Sequence, residues 1–419
     1  MIHEIFTRPT ESTIRLPESS CRRRRASPYY QSAIGGQPSA DRDWLSGEDR
    51  RVPPTDLLVP FRVSLNFLRI SAPILSSRPA VRRNMSAFLD RLRDGTTQCR
   101  LDCDGGHVLV AVSAGPDSVA LLRGLAEIAR TIPLRLHAAH LNHALRGDDS
   151  NSDAAWLAVL AKDLGIPLTI ESADVRSQAA DRKTGLEETA RGARYDFLQR
   201  VASTTGCTHI ATAHNSDDQV ETILHHIVRG TGLSGLAGMS RTRPLGDNLV
   251  LARPMLDIDR PMVIEYLTEI DQDYRIDKSN TDESFTRNRI RHSLLPMLEQ
   301  RFNPQVRAAL LRLGIQAAET QAVVNQLALP LLKSSIVERQ PSRVQIDCSK
   351  LRDQPPQLVR ACFIQLWKQQ NWPLQRMGFA DWNRLLDVLQ DGLAATLPSG
   401  IDARRRKNAL VITHPEAKV

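Results

Sequence analysis

Apolar and polar positions along residues 105–230 follow two alternating periods. Short β-rich apolar runs at VLVAVS (108–113), LRLHAAHLN (134–142), PLTIESAD (167–174) and THIATAH (208–214) predict strands. Segments with helical spacing separate them. In DSVALLRGLAEIAR (117–130), Val119, Leu122, Leu125 and Ala126 fall on one face. DDSNSDAAWLAVLAKDLG (148–165) opens on Asp/Ser caps and closes at Gly165, and GLEETARGARYDFLQRVAST (185–204) and SDDQVETILHHIVRG (216–230) complete the series. Strands alternating with helices predict β-α-β units, hence an α/β fold with a doubly wound parallel sheet covered on both faces. A further helix is expected just after Met85, in SAFLDRLRD.

The pattern changes at both ends. After Asn303-Pro304, residues 305–332 predict one long helix, with two more at 358–370 and 380–391. Residues 392–412 predict a hairpin turning at Pro398-Ser399-Gly400. This is a smaller, mostly helical domain, in which Trp367, Trp372, Phe379 and Trp382 are expected to pack a core rather than stack on bases. Residues 1–84 show no lasting apolar period and carry Arg22 to Arg25 within Ser/Pro/Gly-rich sequence. They are expected to be a disordered leader, or to precede a true start at Met85. The predicted organisation is therefore 1–84, 85–300 and 301–419.

Charge sharpens that division. The chain carries +8 overall, but residues 85–300 hold 24 basic and 30 acidic residues, while 301–419 hold 17 and 9. A basic module after an acidic one suits a polyanionic partner docked away from the chemistry; there Arg404-Arg405-Arg406-Lys407 could position an RNA backbone or be a solvated run. No apolar stretch reaches the ~18–20 residues of a membrane helix, so no membrane partner is expected. The six cysteines form no C-x-x-C pair, which fits free thiols and a reducing cytoplasm.

The candidate chemistry begins at Ser113-Ala114-Gly115-Pro116-Asp117-Ser118, between the first strand and its helix. Small residues let backbone N–H groups approach a phosphate, and a helix N-terminus adds unpaired donors and positive dipole. Ser113 and Ser118 offer hydroxyls, and Asp117 reads as a magnesium ligand. The loop is neither a Walker sequence nor G-x-G-x-x-G.

The loop resembles the pyrophosphatase-type loop (S-G-G-x-D-S) of enzymes that cleave ATP between the α- and β-phosphates. Further segments resemble the tRNA(Ile)-lysidine synthase family: His140-Leu-Asn142-His143-Ala-Leu-Arg146 with Ser152-Asp153, then Gly185-Leu-Glu187 through Arg191, Arg194 and Tyr195. So do Thr212-Ala-His214-Asn-Ser-Asp217-Asp218-Gln219-Val-Glu221-Thr222, Arg229-Gly230-Thr-Gly232, Arg253-Pro254, Asp277-Lys-Ser279-Asn280-Thr-Asp282 and Arg287-Asn288-Arg289-Ile-Arg291. The likeness is tight over 105–300. One departure is Ala114, where the loop's first Gly is usual; its methyl is expected to be tolerated at a negative φ.

Several residues carry expected roles. Asp217, Asp218 and Glu221 crowd one helix start beside His214, beyond what capping requires. Asp218, with Asp117, is expected to hold magnesium and, with His214, to orient the attacking base, with Gln219 as a neutral donor. His140 and Asn142 are expected at the nucleotide, whereas His225 and His226 lie mid-helix and are read as structural. Glu187 and Arg191 form an i,i+4 pair; the resemblance makes Glu187 catalytic and assigns Arg191 and Arg194 to the cytidine or the transferred group. Glu221, Arg229, Arg287, Arg289 and Arg291 are expected to meet substrate, with the last three spread around a helix by their spacing of two.

The resemblance implies ATP and Mg2+ as cofactors, and tRNA(Ile) with a CAU anticodon and L-lysine as partners; a homodimer is compatible with it. The implied reaction adenylates the wobble cytidine and then ligates lysine to its C2, so that the tRNA reads AUA as isoleucine. A tRNA thiolase would share the loop but need sulfur-carrying cysteines, and a non-catalytic nucleotide- or RNA-binding protein would not need the carboxylates.

Overall fold

The computed structural model describes residues 79–142, 148–182, 185–246, 248–275 and 286–415. Expectations placed on His143, Arg146 and 276–285 (including Asn280 and Asp282), and on the leader up to residue 78, lie outside the described residues. Helix α1 (Pro79–Gln98) begins ahead of Met85. It is followed by β1 (His107–Ala111), α2 (Pro116–Ile128), β2 (Arg135–Asn142), α3 (Asp148–Asp163), β3 (Leu168–Ser172), α4 (Val175–Arg182) and α5 (Leu186–Thr205). Then come β4 (His209–Ala211), α6 (Ser216–Arg229), α7 (Leu233–Leu236), β5 (Thr242–Pro244), β6 (Val250–Ala252) and α8 (Arg260–Glu269).

The first six strands form one sheet in the order β3-β2-β1-β4-β6-β5. All pairs are parallel except β5 with β6. Val108 on β1 pairs with Leu136 on one side and His209 on the other. Strand order therefore reverses between β1 and β4, where open α/β sheets take ligands at the strand carboxyl ends. Alternation along the central strand fills both layers: Val108 and Val110 face one core with α1, α2 and α8, and Leu109 faces the other beneath α5. Helix α1 belongs to this core through fully buried Phe88 and Leu92.

The predicted strands and helices all form. THIATAH is shorter than expected: the strand stops at Ala211, and Thr212 to His214 leave the sheet as loop. Strands β5 and β6 and helices α4 and α8 went unforeseen, because three-residue strands carry too little period to read and α4 is strongly polar.

Short helices α9 (Thr286–Arg289) and α10 (Leu295–Arg301) flank a π-turn at Ile290–Leu294, and α11 (Val306–Ser335) follows as one unbroken helix. Its 30 residues extend about 45 Å at 1.5 Å rise per residue. Near its start it crosses α6 closely, since a Cβ on Gly314 would lie 2.7 Å from Ile223 Cδ1. Its far end, with Ala328 and Leu332, is buried in a second core.

That second core is built from β7 (Ile336–Gln340), β8 (Arg343–Asp347), α12 (Pro356–Gln369), α13 (Phe379–Asp391), β9 (Ala395–Leu397), β10 (Ile401–Arg406) and β11 (Ala409–Thr413). Its antiparallel sheet runs β7-β8-β11-β10-β9. The expected hairpin is β9–β10, turning at Pro398 to Gly400; β7, β8 and β11 extend it into a sheet. Trp372 and Trp382 pack edge-on against Trp367 at 4.9 and 5.2 Å, as core. Phe379 departs from that expectation: it is 70% exposed, with the Arg360 guanidinium 5.2 Å from its ring. No helix among the described residues is long and apolar enough to cross a membrane.

Candidate active site

Two helix N-termini converge at the switch point, that of α2 after β1 and that of α6 after β4. Pro116 opens α2 at the position where a missing N–H costs nothing. Asn215 caps α6: its Oδ1 accepts from the Asp218 N–H at 3.0 Å, while Asp218 Oδ2 accepts from the Asn215 N–H. The Asn215 side-chain amide then donates to Asp117 Oδ1 at 2.9 Å, tying the two helix starts together. The Asn before a helix with Asp at its third position was readable as a cap; the bond to Asp117 was not.

The loop corrects two expectations. Ala114 sits at φ +63°, in the left-handed region, not at a negative φ. Its buried methyl is held there because its carbonyl accepts from the Arg275 N–H, so an L-residue stands where glycine is easier. Ser118 is not a free donor either. Its hydroxyl donates to the Gly115 carbonyl and accepts from the Ser113 N–H, closing the loop on itself. The Ser113 hydroxyl lies 3.3 Å from it.

His140 is buried, and its Nδ1 donates to the Val112 carbonyl at 2.9 Å. It braces the strand that leads into the loop. Burial lowers its pKa. Asn142 is buried at the end of β2.

The acids crowded at α6 separate into different environments. Asp117 is desolvated and lies near Asp218; burial raises its pKa, and among the described residues its hydrogen bond comes from the neutral Asn215 amide. Asp218 and the 1%-exposed Glu221 instead hold guanidiniums: Arg287 bridges them at 2.8 and 2.9 Å, and Arg291 Nη2 reaches Glu221 at 3.0 Å. Arg287 and Arg291, four residues apart, thus share a face, while Arg289 points to Thr286. Asp217 faces away from this group, accepting from the Arg260 N–H and from Arg307 at the start of α11.

Gln219 is not a donor toward substrate. Its amide donates to the Ala237 and Met239 carbonyls and accepts from the Met239 N–H, pinning the turn where Gly238 takes φ +67°. His226 serves the same segment through the Gly235 carbonyl. Arg229 is exposed at the end of α6.

His214 is half-buried just beyond β4, with Thr212 Oγ1 2.9 Å from its Nδ1. Burial, then the charges of Arg253, Arg287, Arg191 and Arg194, push its pKa down to about 3. At that pKa the imidazole is neutral near pH 7. The Glu187 side chain lies outside the described residues; Arg191 contacts the Tyr195 ring at 5.3 Å. Sequence reasoning left Asn215, Arg243 and Arg307 without roles, because each depends on a partner distant in the chain.

The geometry suits a nucleoside triphosphate: a backbone cradle, two positive helix ends, one uncompensated acid and a surround of arginines. A PP-loop domain family matches residues 86–298. Curated relatives include the tRNA(Ile)-lysidine synthase of Rhodopirellula baltica, 34% identical over 317 residues, which span 68% of this chain and 79% of that protein. Another is the tRNA(Ile)-lysidine synthase of Clostridioides difficile, 31% identical over 321 residues, covering 74% and 67%. Among solved structures, the U34-tRNA thiolase NcsA from Methanococcus maripaludis is similar at 16% identity and TM-score 0.47, over 57% of this chain and 80% of that one. With its PP-loop domain and these relatives matched over most of its length, the chain belongs to the tRNA(Ile)-lysidine synthase family.

Proposed function

We propose that this chain uses ATP to join lysine to C2 of the wobble cytidine of a tRNA(Ile) with a CAU anticodon, giving lysidine, AMP and pyrophosphate. The reading is carried by the match to lysidine synthases along 317 residues, together with a PP-loop domain match over 86–298 that takes in both the loop and the acids of α6. In the first step the cytidine C2 oxygen attacks the α-phosphorus and pyrophosphate leaves. In the second, the lysine ε-amine attacks C2, a proton is lost from nitrogen, and AMP departs with the former C2 oxygen.

The residues divide this work. Backbone N–H groups of 113–118 and the start of α2 receive the pyrophosphate. Asp117 fits a Mg2+ ligand: it is a half-buried carboxylate whose hydrogen bond, among the described residues, comes from a neutral amide, and Mg2+ is commonly held by one or two carboxylates plus phosphates and water. When bound, the ion neutralises charge developing on the pyrophosphate. Asp218 and Glu221 hold Arg287 and Arg291 in place beside the reacting groups. His214 orients by hydrogen bonding without taking a proton. The arginine field that depresses its pKa would also keep a nearby amine unprotonated, as attack on C2 requires.

Residues 85–300 then perform the chemistry, and the basic 301–419 module docks the tRNA. Sulfur transfer has no comparable support: among the described residues the cysteines are free and dispersed, with Cys99, Cys207, Cys348 and Cys362 buried. Incubation with ATP, Mg2+, labelled lysine and total bacterial tRNA tests the reading. Label in the RNA with matching AMP is the expected result; AMP formation without lysine in the RNA would overturn it.

A further inference from the structure

Three arginines gather on one tyrosine at the carboxyl edge of the sheet. Arg191 and Arg243 place their guanidiniums 5.3 and 5.4 Å from the centre of the Tyr195 ring. The Tyr195 hydroxyl side lies against Arg253. The placement follows from the backbone. Arg243 pairs with Leu251 across the antiparallel edge, and Arg253 stands two residues beyond Leu251, so alternation puts all three on the face that α5 covers. Tyr195 sits one turn after Arg191 on α5 and packs against that face.

Among the described residues, nothing balances the charge of this cluster: no carboxylate pairs with Arg191, Arg243 or Arg253. Arg253 is 95% buried, spends Nη1 on the Ser240 carbonyl, and keeps a buried Nε–H without an acceptor. A buried guanidinium with two like charges beside it is costly without an anion to offset it. Elsewhere in the site, Arg287 and Arg291 have their carboxylates. Arg191 and Arg243 are exposed, so an anion can reach them from solvent.

We propose that Arg243, Arg191 and Arg253, assembled on Tyr195, form a receptor for one phosphodiester of the tRNA next to the nucleotide being modified. A guanidinium fork matches two phosphate oxygens, and Tyr195 fixes two forks without adding negative charge. The cluster shares the carboxyl edge with the PP-loop but belongs to β5, β6 and α5, on the β4 side of the switch point. A phosphate held there fixes the strand while the base enters the crevice. This is positioning, carried by residues outside the loop and outside the basic C-terminal module. It rests on the lysidine-forming reading above.

The test combines one variant with one altered RNA. tRNA(Ile) species carrying a single uncharged methylphosphonate at each position flanking the wobble nucleotide are titrated onto wild type, Arg243→Ala and Tyr195→Leu, with thermal melts confirming fold. For wild type, one such position is expected to weaken binding about tenfold. Arg243→Ala weakens native tRNA by about as much, shows no further loss at that position, and flattens the log–log salt slope by roughly 0.7–0.9. Its KM for tRNA rises, while the KM values for lysine and ATP stay unchanged. Tyr195→Leu reproduces the loss, because both forks lose their support. Additive losses at every position would overturn the proposal. So would a raised KM for lysine with tRNA affinity intact, which would assign the cluster to the amino-acid carboxylate. Wild-type lysine incorporation, measured in parallel, reports separately on the proposed reaction.

Discussion

Replacing Glu221 by Gln removes the charge that holds two guanidiniums at the start of α6. Glu221 is 1% exposed and accepts from both Arg287 and Arg291, whose side chains are 38% and 27% exposed. Breaking a fully buried pair costs about 3–5 kcal/mol, and partial hydration of the arginines lowers this to about 2–3 kcal/mol. A domain of this size loses roughly 2 °C per kcal/mol, so the melting temperature is expected to fall by about 5 °C. Arg291→Met, made alone, also destabilises. Because the two side chains share one network, the double variant is expected to lose about 1–2 kcal/mol less than the sum of the singles. Urea melts of the four proteins without substrates measure this independently of activity. Additive losses, or a Glu221→Gln protein melting as wild type does, would show that the pair contributes nothing and that the site is held by the cores alone.

Three further outcomes are expected. Burial raises the pKa of Asp117, so its ionised form costs stability as pH rises above the carboxylate range; Asp117→Asn should melt higher than wild type at neutral pH without Mg2+, lose stabilisation by Mg2+ with ATP, and form no AMP. His214 titrates near 3 when folded and near 6.5 when unfolded, so its contribution is complete above pH 6.5 and falls with acidification, by about 2 kcal/mol at pH 5; His214→Gln should flatten the stability curve between pH 6.5 and 5, and an unchanged slope would contradict a neutral imidazole in the folded protein. In the C-terminal module, Arg405 donates to the Leu389 and Gln390 carbonyls at the end of α13, whereas Arg404 and Arg406 do not. Arg405→Ala should therefore lower stability, and Arg404→Ala with Arg406→Ala should flatten the salt dependence of tRNA binding; the reverse pattern would refute this division.

The sequence alone determined the α/β class, the position of the nucleotide loop and the change of character near residue 300. Each is local: a period of 2 or 3.6 residues, Gly165 closing a helix, a short run of small residues between strand and helix. It also brought Asp117, His214, Asp218 and Arg287 into one constellation through their resemblance to a family. What each does was decided by partners 66 to 98 positions away, as in Arg287 with Glu221 and Asn215 with Asp117. No local pattern encodes such pairs, so Asp217 and Asp218, adjacent in the chain, read alike although one meets Arg307 and the other Arg287. Backbone geometry was equally hidden. Ala114 takes its left-handed φ, and Ser118 is spent inside the loop, because the turn between β1 and α2 must close over its own carbonyls. The strands β5 and β6 were too short to read, yet they bring Arg243 and Arg253 to Tyr195. Only the folded sheet, by its alternation of faces, turns those distant arginines into one cluster.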